Sequence, residues 1–152
     1  MDANYSDYFV QRQCALQWQG VLAALSQELS GQLGVAELRD LMRGTGARFA
    51  STHPVPACDS VADMQAAMCT IWRQLDWGWV ELTEHDAALA IMHHCSPLHS
   101  ALGEVATPWW PAFLEGVYQE WFAQLGAGEL LRVTQSSEAD AFGTVSMQLA
   151  QP

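Results

Sequence analysis

The strict alternation of side chains near the carboxyl terminus constrains the fold most strongly. Between Thr144 and Leu149, apolar residues such as Val145 and Met147 occupy every second position, and polar residues stand between them. Successive side chains of a β-strand point to opposite faces of its sheet. The alternation therefore predicts a strand in a sheet that has one face covered by helices and the other face left polar.

Four other segments carry apolar residues three and four positions apart, which is the period of an amphipathic α-helix. They run from about Gln11 to Leu29, Val35 to Arg48, Ser60 to Asp76 and Thr107 to Leu125. In the first segment, the residues that share one face are Trp18, Val21, Leu22, Leu25 and Leu29. In the second, the residues predicted to be buried are Val35, Leu38, Leu41 and Met42. Ser60 is predicted to cap the third helix, because a Ser oxygen accepts a hydrogen bond from the first helical turn.

Two pairs of strands complete the predicted elements. The first hairpin joins Trp77–Leu82 to Ala88–His94, and the second joins Leu130–Gln135 to Gly143–Ala150. The predicted fold class is therefore α+β, with mixed α and β elements and antiparallel β-hairpins forming a sheet packed against about four helices. Because 152 residues fit one domain, residues 1–152 are predicted to form a single domain.

The charge balance excludes two classes of partner. The chain has six Arg, no Lys and 17 acidic residues, which gives a formal net charge of -11. A chain of this charge repels the phosphates of nucleic acids and the headgroups of anionic lipids. Like charge also opposes self-association, so an oligomer would have to form through apolar patches.

The amino-terminal sequence lacks the basic and continuous apolar regions of a secretory signal, and no stretch approaches the roughly 20 apolar residues of a membrane span. The four cysteines are widely spaced and form no CxxC pair; they are Cys14, Cys58, Cys69 and Cys95. We expect reduced thiols that are mostly buried.

His93, His94, Cys95 and His99 form the one cluster of residue types that suit zinc. Adjacent residues of a strand point to opposite faces, so His93 and His94 cannot easily share a metal ion. Paired ligands at short spacing are also missing from the sequence. We therefore expect one of the two His side chains to point inward and the other outward, and we expect neither a metal nor a cofactor.

Carboxylates and sequence motifs give little support for catalysis. Glu115 and Glu120 lie about 140° apart around the predicted helix, so they do not converge on one substrate and are interpreted as part of a solvated face. The sequence contains no nucleophile elbow, phosphate-binding loop or dinucleotide fingerprint. An enzyme is therefore disfavoured. A small hydrolase that uses scattered carboxylates, such as Glu81 and Glu104, is kept as a hypothesis.

Tryptophan is abundant, with seven in the chain, and most of these side chains are expected in a core or an interface. Trp77 and Trp79 are predicted to share one strand face. Trp109 and Trp110 are adjacent and are not expected to enter one core together, so at least one of them should lie at a contact between copies. All four are candidate contacts, because flat rings with a polar edge suit both sugar faces and protein interfaces.

Gly116 is the fifth candidate contact. It interrupts an otherwise good helix in the sequence LEGVY, where glycine costs about 1 kcal/mol relative to alanine. Either the glycine is merely tolerated, or another backbone approaches the helix closely at this position.

Several of these segments together resemble a known family. Leu75–Leu82 (LDWGWVEL), Ala90–His93 (AIMH) and Trp110–Phe122 (WPAFLEGVYQEWF) resemble, in order and spacing, the D subunit of bacterial cellulose synthase. The stretch Val21–Phe49 is similar as well, and the resemblance covers about Leu16 to Leu149. Residues 1–15 do not match the family pattern and are interpreted as an N-terminal extension of the domain.

The resemblance implies a non-catalytic accessory part of cellulose secretion with an α/β fold. It implies dimers that assemble into a ring-shaped octamer, whose inner passages are proposed to guide nascent glucan chains. It also implies other cellulose synthase subunits and a proline-rich accessory protein as partners, in the cytoplasm, with the periplasm as the alternative location. The leading hypothesis is thus an oligomeric scaffold. The alternative is a carbohydrate-binding module that stacks Trp77, Trp79 or Trp109 on glucan.

Overall fold

Residues 3–152 are described by a computed structural model, which contains a four-stranded antiparallel sheet and six α-helices. The strands are β1 (Trp79–Glu84), β2 (Ala88–His94), β3 (Arg132–Gln135) and β4 (Val145–Ala150), and they lie in the order β1-β2-β4-β3. Both predicted hairpins are present as neighbouring pairs, and β2 pairs with β4 to join them into one sheet. The predicted α+β fold class is confirmed.

The helices are α1 (Ala3–Gln11), α2 (Leu16–Gln32), α3 (Val35–Thr52), α4 (Val61–Gln74), α5 (Leu98–Leu102) and α6 (Ala112–Gln124). Two of them, α1 and α5, were not predicted, and a short 3₁₀ helix follows α5 at Glu104–Ala106. The last long helix begins later than predicted, because residues 107–111 form turns that lead into α6. Ser60 caps α4 as expected, since its hydroxyl oxygen accepts a hydrogen bond from the Asp63 N–H at 3.1 Å.

The core lies between one face of the sheet and the helices. In β4 the alternation has the predicted consequence: Val145, Met147 and Leu149 are buried, whereas Gln148 is exposed. The inward side chains of the other strands join them in the core. In α3, Leu38 is buried as predicted, but Val35 and Leu41 are exposed, because the apolar arc of this helix is wider than the arc that the core covers.

Helices α3 and α6 cross with their backbones in close contact, and a glycine on each helix makes this possible. A Cβ atom added to Gly116 would lie 2.8 Å from the carbonyl carbon of Arg43, and one added to Gly46 would lie 2.8 Å from the amide nitrogen of Val117. Real Cβ atoms do not come this close to a backbone. The close approach proposed for Gly116 is therefore confirmed, and its partner is α3 of the same chain.

Both edges of the sheet carry side-chain hydrogen bonds from the neighbouring helices. At β1, the Leu82 N–H donates to Gln65 Oε1 at 2.8 Å, and the Cys69 thiol donates to the Val80 carbonyl at 3.2 Å. At β3, the Val133 N–H donates to Gln119 Oε1 at 2.8 Å. An unpaired edge invites another strand to add to the sheet, and side chains that occupy its backbone groups oppose that addition.

Candidate functional site

Trp109 and Trp110 are both buried, with 1% and 0% of their surface exposed. The prediction that the two indoles cannot enter one core is wrong, and so neither is available as a surface contact. The physical reason is that both residues lie in the turns before α6, where consecutive side chains need not diverge as they do in a strand. Trp109 Nε1 donates to Ser30 Oγ of α2 at 3.1 Å, while the Trp110 ring lies 6.2 Å from the His99 ring of α5.

Trp77 and Trp79 do not share a strand face, in contrast to the prediction. Gly78 between them has φ +75°, so the chain turns there and β1 begins only at Trp79. The Trp77 ring packs inward, with its centroid 5.6 Å from that of Trp72. Trp79 lies on the outer face of the sheet, 41% exposed, and one side of its ring stacks on His94 at 4.9 Å. The structure therefore brings no flat row of exposed tryptophans together among the residues that it describes.

A hydrogen-bonded chain of buried aromatic residues runs through the core. Trp72 Nε1 donates to the Tyr118 hydroxyl at 3.0 Å, and that hydroxyl lies 2.7 Å from His93 Nδ1. His93 Nε2 lies 2.9 Å from the Trp77 carbonyl. A neutral His93 ring satisfies both contacts, because its Nε2–H donates to that carbonyl while its Nδ1 accepts from the Tyr118 hydroxyl. Burial lowers the pKa of His93 from 6.5 to about 3, against a smaller opposite effect of the hydrogen bond to Trp77. Burial also raises the pKa of Tyr118, which stays protonated.

The candidate zinc ligands diverge. His93 points inward to Tyr118, whereas His94 points outward, where its Nε2 lies 2.9 Å from Glu81 Oε2. The prediction of one inward and one outward His is confirmed. Within residues 3–152, no three His, Cys, Asp or Glu side chains are grouped so that they could hold a metal ion.

The sequence pattern predicts that Glu115 lies on a solvated helix face, and this prediction is wrong. The side chain is 3% exposed, at the junction of α6, α3 and β3. Its carboxylate forms an ion pair with Arg39, lies 3.6 Å from the Arg43 guanidinium and accepts a hydrogen bond from the Gln135 N–H at 3.2 Å. A buried carboxylate needs such partners, because an unpaired charge in the core is costly. Glu115 therefore joins a helix to the edge of the sheet, and Glu120 is not among its partners.

The first two helices expose apolar side chains. The sequence pattern placed those of α2 on one helical face without identifying it as a surface, and it did not predict α1. We call these residues the N-terminal apolar surface; they are Tyr5, Tyr8 and Phe9 of α1 and Trp18, Val21 and Leu25 of α2. On α2, the exposed fractions are 55% for Trp18, 60% for Val21 and 49% for Leu25. Their spacing is the signal that was available in the sequence, but it does not show which arc of α2 packs on the core.

The arc of α2 that does pack on the core is offset from this stripe. Ser26 is fully buried, Leu22 and Leu29 pack partly against the core, and Ser30 accepts the hydrogen bond from Trp109. At 100° per residue, Ser26 lies about 100° around the helix from Leu25. The inward arc of α2 thus combines two serines with two leucines, while Trp18, Val21 and Leu25 face solvent in the single chain.

A groove of about 560 Å³ lies beside the same helices, between α1, α2 and α5. It is lined on one side by Tyr8, Arg12 and Gln19, and on the other by His99 and Glu104. The guanidinium of Arg12 lies 4.6 Å from the centre of the Tyr8 ring. An exposed aromatic ring among hydrogen-bonding side chains is a combination that can contact a polar ligand with apolar faces. No helix in the described part of the chain is both long and apolar enough to cross a membrane.

Comparison with known proteins identifies relatives over most of the chain. The sequence profile of the family of cellulose synthase D subunits matches residues 4–149. The chain is 31% identical over 130 residues to a cellulose synthase operon protein D of Komagataeibacter xylinus, covering 84% of this chain and 83% of that protein. The same identity and coverage are found with the cellulose synthase operon protein D of Komagataeibacter sucrofermentans. The profile match begins at residue 4 and so includes most of the segment interpreted above as an N-terminal extension.

Proposed function

The chain belongs to the cellulose synthase D-subunit family, and from this premise we propose that it is a non-catalytic accessory subunit of bacterial cellulose biosynthesis. In this proposal the protein forms an oligomeric scaffold that organises synthase complexes and the export and crystallisation of glucan chains. The observation that supports the scaffold role is the N-terminal apolar surface, because its side chains are exposed although the rest of the chain already forms a buried core.

Exposed apolar groups in this number need an explanation in an acidic protein. On α2, three of these side chains follow helical spacing, and exposed apolar patches of this kind mark sites of interaction. The six side chains of the N-terminal apolar surface include four aromatic rings, which are the groups that dominate the energy of protein interfaces. A protein that acts by assembly, and not by chemistry, requires such a surface.

The polar clusters of the described residues have structural roles that leave little for catalysis. Glu115 is held by Arg39, Arg43 and the backbone of β3. His93 is fully hydrogen-bonded inside the core, at the end of the Trp72–Tyr118 chain. A general acid or base has to reach a substrate, and neither side chain is accessible. These observations support an accessory role.

The proposed assembly consists of dimers that form an octamer, in association with other cellulose synthase subunits. We further propose a proline-rich accessory protein as a partner and a cytoplasmic location, with the periplasm as the alternative. Nucleic acid is not a partner in this proposal, because the net charge of -11 opposes it. Family membership is the support for the octamer, for the proline-rich partner and for contact with glucan.

The alternative of a tryptophan-based carbohydrate-binding module is weaker. Trp109 is buried, Trp77 packs on Trp72, and one face of the exposed Trp79 is occupied by His94. Stacking on glucan needs exposed ring faces, and these three side chains do not offer an aligned set. If glucan contacts this chain directly, the groove beside α1, with Tyr8 and Arg12, suits it better than the tryptophans do.

The mass of the protein in solution tests the scaffold role. We expect light scattering of the purified chain at micromolar concentrations and moderate salt to give a multiple of the 16.7 kDa chain mass, with eight copies as the endpoint. The salt matters because it screens the repulsion between acidic copies. A single-chain mass across the whole concentration range would refute the scaffold.

A further inference from the structure

The second helix combines exposure, apolar character and a near absence of charge. Of its 17 residues, Glu28 is the one that carries a charge. Across residues 3–33 the charged residues are Asp7, Arg12 and Glu28, whereas most of the acidic residues lie in the rest of the chain. With one charged residue in 17, α2 is a part of the surface where a strongly acidic neighbour meets little repulsion.

Charge favours a second copy of this chain over a basic partner as the occupant of this face. A basic partner would be drawn to the acidic remainder of the chain and would gain no charge contact on α2. A second copy of this chain also carries a net charge of -11, so it is repelled over most of the surface and can approach closely where charge is missing. The same stripe on that second copy satisfies both requirements, because it is apolar and almost uncharged.

The sheet offers no easier route to self-association. Side chains of α4 occupy backbone groups of β1 at Leu82 and Val80, and those of α6 occupy groups of β3 at Val133 and Gln135. For two copies to pair strands edge to edge, they would have to break these hydrogen bonds and leave Gln65 and Gln119 without their partners. A helix face is available without any such cost.

We propose that the stripe formed by Trp18, Val21 and Leu25 of α2 packs against the same stripe of a second copy. This inference rests on the proposed scaffold function and assigns one of its contacts to a surface. The three positions follow the spacing i, i+3, i+7, so they form one narrow ridge along the helix. Val21 lies in the middle of the ridge, and in a two-fold contact it comes close to its own copy.

Val21 variants of opposite charge test this contact. The experiment prepares Val21→Glu and Val21→Arg separately and measures the native mass of each alone and of an equimolar mixture. The matched control is Leu130→Glu, which introduces the same charge at an apolar residue that is 73% exposed and lies outside α2. Because Val21 is 60% exposed in the single chain, either substitution should leave the melting temperature of an isolated chain unchanged.

We expect each Val21 variant alone to show about a two-fold or larger drop in native mass, because like charges meet at a two-fold contact. The mixture should regain the wild-type mass, and Leu130→Glu should keep it throughout. If the wild type is assembled and the Val21 variants keep its native mass, the proposed α2 contact is wrong while the scaffold function stands. Variants that dissociate and stay apart in the mixture would refute the pairing of the stripe with itself. Leu25→Glu repeats the test if a Val21 variant fails to fold, as judged by circular dichroism.

Discussion

The first two helices and the remainder of the chain use their apolar residues in opposite ways. From Leu38 to Leu149, large side chains such as Trp72, Trp110 and Trp121 are buried in one continuous core. In α1 and α2, side chains of comparable size, including Phe9 and Trp18, are more than half exposed. The contrast is not a matter of composition, because both regions are rich in aromatic and aliphatic residues.

The difference shows where folding ends and assembly begins. A core of aromatic rings, crossed helices and a half-covered sheet is already complete without the stripe of α2. The apolar surface that is left over therefore cannot be explained by the stability of the single chain, and its α2 part lies on a helix with one charged residue. We infer that the two regions were shaped by different requirements, one for packing and one for contact between copies.

Paired glycine substitutions test the contrast where the expected effect is largest. Gly116→Leu should lower the free energy of unfolding by about 3 kcal/mol, because its side chain would be driven into the backbone of α3. The matched change is Gly20→Ala in α2, where a Cβ atom would meet nothing within 4 Å. That change should raise the free energy of unfolding by about 0.5–1 kcal/mol through helix propensity. Urea unfolding, followed by circular dichroism, measures both.

The two substitutions are expected to change the free energy of unfolding in opposite directions, and either direction can be contradicted. If Gly116→Leu unfolds at the same urea concentration as the wild type, the close crossing of α3 and α6 is wrong. If Gly20→Ala destabilises the chain, α2 is packed more tightly than its exposure indicates, and the distinction between the two regions fails.

Acid should weaken the core through His93. Its pKa is about 3 in the folded chain and near 6.5 when it is unfolded, so the unfolded chain binds the extra proton between these values. The free energy of unfolding is therefore insensitive to His93 above pH 6.5 and falls as the pH drops below it, by about 2 kcal/mol at pH 5. Denaturant titrations between pH 5 and pH 8 measure this slope.

A neighbouring histidine provides the control for the acid effect. His94→Gln, on the outer face of the sheet, keeps His93 in place, so the part of the slope that His93 contributes should remain. His93→Gln should lower stability at pH 8 and flatten the slope, because the group that titrates on unfolding is gone. An unchanged slope in His93→Gln would show that His93 is not the buried neutral group described here.

The fold was predictable where the hydrophobic period is clean. The alternation of Val145, Met147 and Leu149 indicated the covered sheet, and Ser60 indicated the start of α4. The short helices α1 and α5 were missed, since nine and five residues are too few for a period to stand out. A close backbone approach at Gly116 was one of two alternatives that the sequence offered, because a glycine inside a strong helix needs a reason; its partner, α3, was not predicted.

The surface was harder to predict than the core, for two physical reasons. Amphipathic spacing identifies an apolar face but cannot distinguish a face against the core from a face toward another chain, as Trp18 and Leu25 show. Local conformation also decides where tryptophans point: the left-handed backbone at Gly78 separates Trp77 from Trp79, and turns direct both Trp109 and Trp110 inward. No pattern in the sequence contains that information.

Relative labelling of two tryptophans tests the contact between α2 helices of two copies without changing the chain. Trp18 is 55% exposed and Trp79 is 41% exposed in the single chain, so hydroxyl-radical footprinting of a dilute, dissociated sample should label Trp18 at least as fast as Trp79. At concentrations where the protein is assembled, we expect the labelling of Trp18 to fall well below that of Trp79, because contact between copies covers α2. An assembled protein in which Trp18 is still labelled as fast as in the dilute sample would show that α2 does not lie at a contact between copies.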